Sequence, residues 1–250
     1  MMRSLWTSKT GMEAQQLQMD TTAHNLANVS TTGFKKERVM FEDLMYQNLR
    51  QAGSNTSEQT QMPTGLQVGL GVRAVATSRT FTQGSLNLSS NPLDMAINGN
   101  GFFQIQMPDG TTGYTRDGSF KVDSQGQMVT SSGYVLQPGI TVPPNTLTVS
   151  VSADGTVQAT VSGQAAPQPL GQIQLANFVN PAGLDSKGEN LYLETAASGT
   201  PTAGTANENG LGAIKQGFLE TSNVNVVEEL VGMIQTQRAY ELNSKAISTS

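Results

Sequence analysis

Five aspartates, Asp94, Asp109, Asp117, Asp123 and Asp154, are the acid candidates for general acid–base work in this chain, and His24 is its only imidazole. Four of the five aspartates stand beside or within two residues of a glycine or another turn residue. At such places an Asp carboxylate ordinarily accepts hydrogen bonds from its own loop, so turn chemistry is the expected role. His24 lies among amides in a helical pattern and reads as a helix-surface or interface residue. Gly99-Asn100-Gly101 has two of the glycines of a phosphate loop but lacks the third and a following helix pattern. Trp6, the single tryptophan, suits an interface anchor better than a ligand platform. With one histidine and no cysteine, a Ser-His-Asp triad outside residue 24, a thiolate metal site and a disulfide have no residues to draw on. No nucleophile, base and orienting group fall together. The expectation is a protein that is not an enzyme and holds neither metal nor cofactor.

The composition sets the frame for that expectation. The chain has 250 residues, room for one large domain with appendages. Charged residues make up 13%, about half the usual ~25%, and small polar residues take their place. Amides and hydroxyls can be buried against another chain when each finds a hydrogen bond, which charges do less cheaply. The net charge is −5 and the basic residues form no stripe, so nucleic acid is not an expected partner. The segment MMRSLWTSKTGMEAQQ has no apolar core of a secretory signal, and no run reaches the ~20 apolar residues of a membrane helix. The reading is a chain that starts in the cytoplasm and, if exported, leaves without a cleaved signal peptide.

Both ends carry a helical pattern. Leu5, Met12, Met19 and Leu26 recur every seven residues, with Val29 three further on. Val226, Met233, Tyr240 and Ile247 repeat the device, with Leu230 at the alternate position. Asn225 followed by Glu228 reads as a capping box, in which the Asn side chain accepts from the third helical amide and Glu228 reaches back. Gly232 is a weak point of ~1 kcal/mol against Ala. Narrow seams of this kind are not stable alone in water, so the two ends are expected to pair with each other and with copies from neighbours. Within the stretch HNLANVSTTGFK, Gly33 in a left-handed conformation would end the first helix, bringing Phe34 onto Val29 in a Schellman stop. Asn25 and Asn28 share a face beside Leu26. They are read either as solvated amides or as groups that hydrogen-bond across a helix interface and fix its register.

The middle changes period. Leu66, Val68, Leu70, Val72 and Ala74 alternate, and turn signals then recur at short intervals from Asn98-Gly99 to Asp154-Gly155. The fold class is α+β: helices at residues 1–33 and 220–250, an extended insert at 34–82, and a β domain of many short strands at 83–219. Phe41–Leu49 is read as a helical turn or two. Gly53–Gln61 has the composition of a mobile or partner-ordered segment. Thr195–Gly212, TAASGTPTAGTANENGLG, is read as a loop too poor in apolar residues to pack.

Four stretches carry a family resemblance: His24–Lys35 (HNLANVSTTGFK), Asn91–Gln104 (NPLDMAINGNGFFQ), Tyr114–Leu136 (YTRDGSFKVDSQGQMVTSSGYVL) and Gln216–Ile247 (QGFLETSNVNVVEELVGMIQTQRAYELNSKAI). The chain resembles the axial proteins of the bacterial flagellum, the rod and hook family. The insert around Tyr46–Gly71 and the small β domain set it nearer the members of the distal rod than those of the proximal rod or hook. The resemblance implies subunits stacked helically into a straight hollow shaft that passes torque from motor to hook. It implies as partners further copies of the chain, proximal rod and hook proteins, bushing rings in the periplasm and outer membrane, and the flagellar type III export apparatus. Family members usually continue the last helix a few turns beyond the point where this sequence stops. On this reading Leu5, Met12, Met19, Asn25, Leu26, Asn28, Val226, Leu230, Met233, Tyr240 and Ile247 form the inner helical layer. Gly53, Met62, Pro63 and Gly65 belong to an insert that locks neighbours and stiffens the tube. The free subunit would have a folded β domain and poorly ordered ends. A β-rich adhesin or phage fibre and a cell-wall hydrolase are the rival classes; the first leaves the heptad ends unexplained, and the second needs carboxylates that act on peptidoglycan.

Overall fold

The computed structural model describes residues 2–51, 55–57, 60–61, 64–164 and 166–249. Two long helices, α1 (Met2–Ala27) and α2 (Val226–Ser248), begin and end the order of elements, and short strands fill the chain between them. The structure is α+β, and it divides into two compact units. Unit 1 holds residues 1–27, 37–79 and 225–250; unit 2 holds residues 28–36 and 80–224. No helix among the described residues is long and apolar enough to cross a membrane.

Unit 1 consists of the two helices and an antiparallel ribbon. Gln, Met, Ala and Leu give α1 high helix propensity over its 26 residues. Asn225 is the N-cap of α2, and its side chain accepts from the Val227 amide at 3.1 Å. The partner is thus the second helical amide, not the third expected of a capping box. Glu228 and Glu229 in the first turn and Lys245 in the last suit the helix dipole. The ribbon pairs Glu37–Asp43 with Val72–Arg79, Tyr46–Arg50 with Leu66–Gly69, and Asn55–Ser57 with Thr60–Gln61. Phe41–Asp43 and Tyr46–Leu49 are therefore strand, not helical turns. Their local composition permits either state, and pairing with the alternating run from Leu66 decides for strand.

Unit 2 is built on Phe102–Gln106, a strand buried on both faces. Phe103 and Ile105 join one core with Met95, Ile97, Phe120 and Leu175. Phe102 joins a second with Tyr114, Phe178 and Tyr192, where the rings meet edge to face. Alternation by two thus feeds two cores from one strand. The residues from Thr195 to Gly212 differ from expectation. Thr202–Thr205 pairs with Gln174–Asn177, Ala206 is fully buried, and Leu211 enters the first core. Small residues build this edge: a Cβ on Gly204 would stand 2.8 Å from Leu211.

Candidate assembly site

Helices α1 and α2 pack on one another, and the large apolar seam residues are not the ones fully buried. The buried residues are Ala14, Thr21, Thr22 and Asn25 on α1, and Glu229 and Thr236 on α2. Gly11 faces Asn243 so closely that a Cβ there would lie 3.1 Å from its amide. Small side chains let the axes approach. Three threonines satisfy their hydroxyls within their own helix, Thr21 to Leu17 O, Thr22 to Gln18 O and Thr236 to Gly232 O. Asn25 crosses the pair: its Nδ2 donates to Glu229 Oε2 at 3.4 Å and to Glu37 O at 2.8 Å, while its Oδ1 accepts from the Glu37 amide. This register-fixing bond lies within one chain. Asn28 instead accepts locally, from the Thr31 hydroxyl.

The large seam residues stand beside that contact. Leu5, Met12, Met19, Leu26, Met233, Tyr240 and Ile247 are half-buried, and Val226 and Leu230 are exposed. Met19, Met233 and Tyr240 come together with Gln16, Asp20, Ala23 and Gln237 around an open groove of about 450 Å³. A second stripe on α2, which the heptad reading passed over, is more exposed. Val227 (69%), Val231, Ile234 and Leu242 (68%) fall at helical spacing on a face the chain itself leaves in water. The signal was present in the sequence as apolar residues out of phase with the heptad. Trp6 is 61% exposed, with Lys9 Nζ 5.3 Å from its ring centre.

The ribbon is fastened along α1 at two places. The Asn25–Glu37 bonds hold one. At the other, the Val72 amide donates to Thr10 Oγ1, and Gly71 has φ 123°, where a Cβ would lie 2.2 Å from that hydroxyl. Beyond these points the ribbon carries Met45 (83%), Tyr46, Leu49, Leu66 and Leu70 exposed. A two-stranded ribbon has no further layer to cover them. Gly65 is exposed beside Leu66; Gly53, Met62 and Pro63 lie outside the described residues.

The expected helix terminator is overturned. Helix α1 ends at Ala27, well before Gly33. Gly33 is left-handed, φ 69°, but its amide donates to Glu220 O at 2.8 Å instead of to a carbonyl of α1. Glycine is needed there because a Cβ would sit 2.8 Å from the backbone of Arg116 and Asp117. Val29, Gly33 and Phe34 belong to a short segment of unit 2, not to a Schellman stop. That segment delivers Lys35, fully buried, whose Nζ donates to Glu220 Oε1 at 2.6 Å and to Thr82 O at 2.8 Å. Arg116 reaches the other oxygen of Glu220 at 3.4 Å and lies over the Phe102 ring. Burial pulls the Lys35 ammonium below the ordinary lysine value, partly offset by Glu220. Burial lowers Arg116 likewise. Sequence spacing could not reveal this cluster, whose members come from three distant segments.

The five aspartates sit in local turns. Asp109 accepts from Thr111 and Asp154 from Thr156, and these donors hold both carboxyls below the usual range. Asp117 accepts from Ser119, Asp123 from Gln125 and Gln127, and Asp94 from Ser89 and Asn91. Among the described residues no group of three or more acids, histidines or cysteines could hold a metal ion.

A β unit closed on its own cores, joined in sequence to two helices and a ribbon that leave apolar side chains in water, has the build of a structural, associating protein. Three family descriptions match the chain: flagella basal body rod protein over residues 5–35, flagellar hook protein FlgE/F/G D1 domain over 96–159, and flagellar basal body rod FlgEFG protein C-terminal over 215–250. A flagellar basal-body rod protein FlgG of Buchnera aphidicola (from Schizaphis graminum) is 57% identical over 250 residues, covering 100% of this chain and 96% of that relative. Proteins of the same description from Borreliella burgdorferi and Bacillus subtilis are 50% and 40% identical over 100% of this chain, with 95% and 96% of the relatives covered. The chain belongs to the flagellar rod and hook family, in its FlgG branch.

Proposed function

We propose that this protein is the structural subunit of the distal rod of the flagellar basal body. It assembles helically with its own copies into a stiff hollow shaft, joins proximal rod and hook proteins at its ends, and turns inside the periplasmic and outer-membrane rings. It reaches the growing tip through the flagellar type III export apparatus, and the shaft passes later exported subunits. The carrying observation is the stripe Val227, Val231, Ile234 and Leu242, apolar along a helix yet exposed within one chain. Burial of such side chains is worth roughly 1.5–3 kcal/mol each, so neighbours that cover them gain strongly. The half-buried Met19, Met233 and Tyr240 supply a groove for the same inner layer, and polar residues of both helices keep the bore wettable. The exposed ribbon locks adjacent subunits, together with Gly53, Met62, Pro63 and Gly65 of the insert.

Negative-stain electron microscopy of the concentrated chain, alone and seeded with isolated rods, tests this reading. Straight tubes, or straight extension of the seeds, are expected. Curved tubes would make it a hook subunit. Met19→Asp or Met233→Asp should abolish growth while leaving the melting of unit 2 unchanged; loss of both together would refute the division of labour between the units.

A further inference from the structure

The backbone passes between the two units four times, at 27/28, 36/37, 79/80 and 224/225. On the unit 2 side these crossings belong to three segments: 28–36, the residues from Thr80, and those ending at Val224. The three segments are tied side to side. The Lys36 amide donates to Asn223 Oδ1 at 2.7 Å. Asn223 Nδ2 donates to Thr80 O at 2.8 Å and to Thr82 Oγ1 at 2.9 Å. The Thr80 amide donates to Lys36 O at 2.9 Å, and the Thr221 amide to Ser85 O at 2.8 Å. One layer deeper, Lys35 bonds Thr82 O and Glu220, and Glu220 Oε1 also accepts from the Gly84 amide at 2.9 Å. Glu220 O holds Gly33. Arg116, from the middle of the β unit, fastens the same carboxylate to the core.

The geometry points to a mechanical clamp: Asn223 and the buried Lys35–Glu220 pair bind all three connecting segments into one cable, so that force entering unit 2 through any of them is shared by the others and delivered to the core through Arg116. Each tie joins residues at least 44 positions apart in sequence, as the Lys36–Thr80 bond does. None serves to extend a strand of the main sheet. Buried charges resist opening in a way that surface bonds do not, because separating Lys35 from Glu220 without admitting water strands both. Two cations share the one carboxylate, so Glu220 cannot leave without stranding a pair of charges. The bonds run across the segments, and pulling on the segments' ends therefore loads several at once. The use of this clamp in a torque-carrying shaft rests on the rod reading above; the clamp itself does not.

Single-molecule force spectroscopy on the full chain tests it without assembly. The chain contains no cysteine, so Ser30→Cys and Val227→Cys place unique handles that load the first and last segments. Lys121→Cys and Asp185→Cys, at opposite edges of the main sheet, give a comparison geometry that peels strands. The wild-type core should rupture at higher force through the connecting segments than by peeling. Asn223→Ala and Lys35→Met should lower the first force toward the second while leaving the second unchanged. Equal forces in the two wild-type geometries would overturn the clamp, and so would variants that weaken both geometries alike, since the ties would then only add general stability. The wild-type comparison decides even where a variant fails to fold.

Discussion

Glu220 is the most consequential single side chain outside the cores. Its carboxylate is the one counter-charge shared by two buried cations, Lys35 and Arg116. Glu220→Gln leaves both uncompensated and should cost about 3–5 kcal/mol in urea unfolding of unit 2. Lys35→Met leaves a neutral Arg116–Glu220 pair, so its cost should be clearly smaller; equal costs would contradict the charge count. Lys35 also sets a pH dependence. Its folded pKa lies below the ordinary 10.5, so the unfolded chain binds more protons between the two values. The stability this group contributes is fully present above 10.5 and is lost as pH falls through the folded value. Wild type minus Lys35→Met should therefore gain stability with rising pH across that alkaline window and stay flat below it. Urea midpoints of the two proteins over the window measure this; a difference falling with pH would contradict it.

Among the elements, the ribbon depends most on a single backbone position. Gly71 combines a positive φ with contact to Thr10. Gly71→Val should strain the chain by about 1–3 kcal/mol and lift the ribbon from α1. Hydrogen exchange should then quicken over 37–43 and 72–79 and stay unchanged in unit 2. An unaltered ribbon would mean that Asn25 alone holds it. The helix pair illustrates a more general point. Its fully buried positions are alanine, threonine, asparagine and glutamate, while Val227, Val231, Ile234 and Leu242 remain exposed.

For the whole molecule, a unit 2 that holds both hydrophobic cores, beside a unit of two helices and a ribbon, implies separable unfolding. Calorimetry of the free chain should resolve the transition of unit 2 from that of the helices and ribbon. Val231→Asp with Ile234→Asp should eliminate tube growth without moving the unit 2 transition, because both side chains are already in water in one chain. A lowered unit 2 transition would show that the stripe serves the subunit's own fold.

The sequence alone determined much of this. Residue types at a period of seven marked both helices, alternation marked the strands around Phe103, Ile105 and Val157, and Asn225 marked a helix start, because these signals are local. The stretches His24–Lys35, Asn91–Gln104, Tyr114–Leu136 and Gln216–Ile247 carry the likeness to the flagellar axial family, to which the chain belongs. Local signals failed where partners were distant. Phe41–Asp43 and Tyr46–Leu49 became strand because Val72–Arg79 and Leu66–Gly69 came to pair with them. The polar run 195–212 was ordered by Gln174–Asn177. Gly33 was read as a helix stop, yet it is held by Glu220 and the backbone of Arg116, 187 and 83 positions away. Only the tertiary structure could decide which helix residues are buried, since Ala14 and Thr21 are covered while Met12 and Met19 stay half-buried. Only it could bring Lys35, Arg116 and Glu220 together, because a buried charge is tolerated through neighbours that the chain supplies from far away.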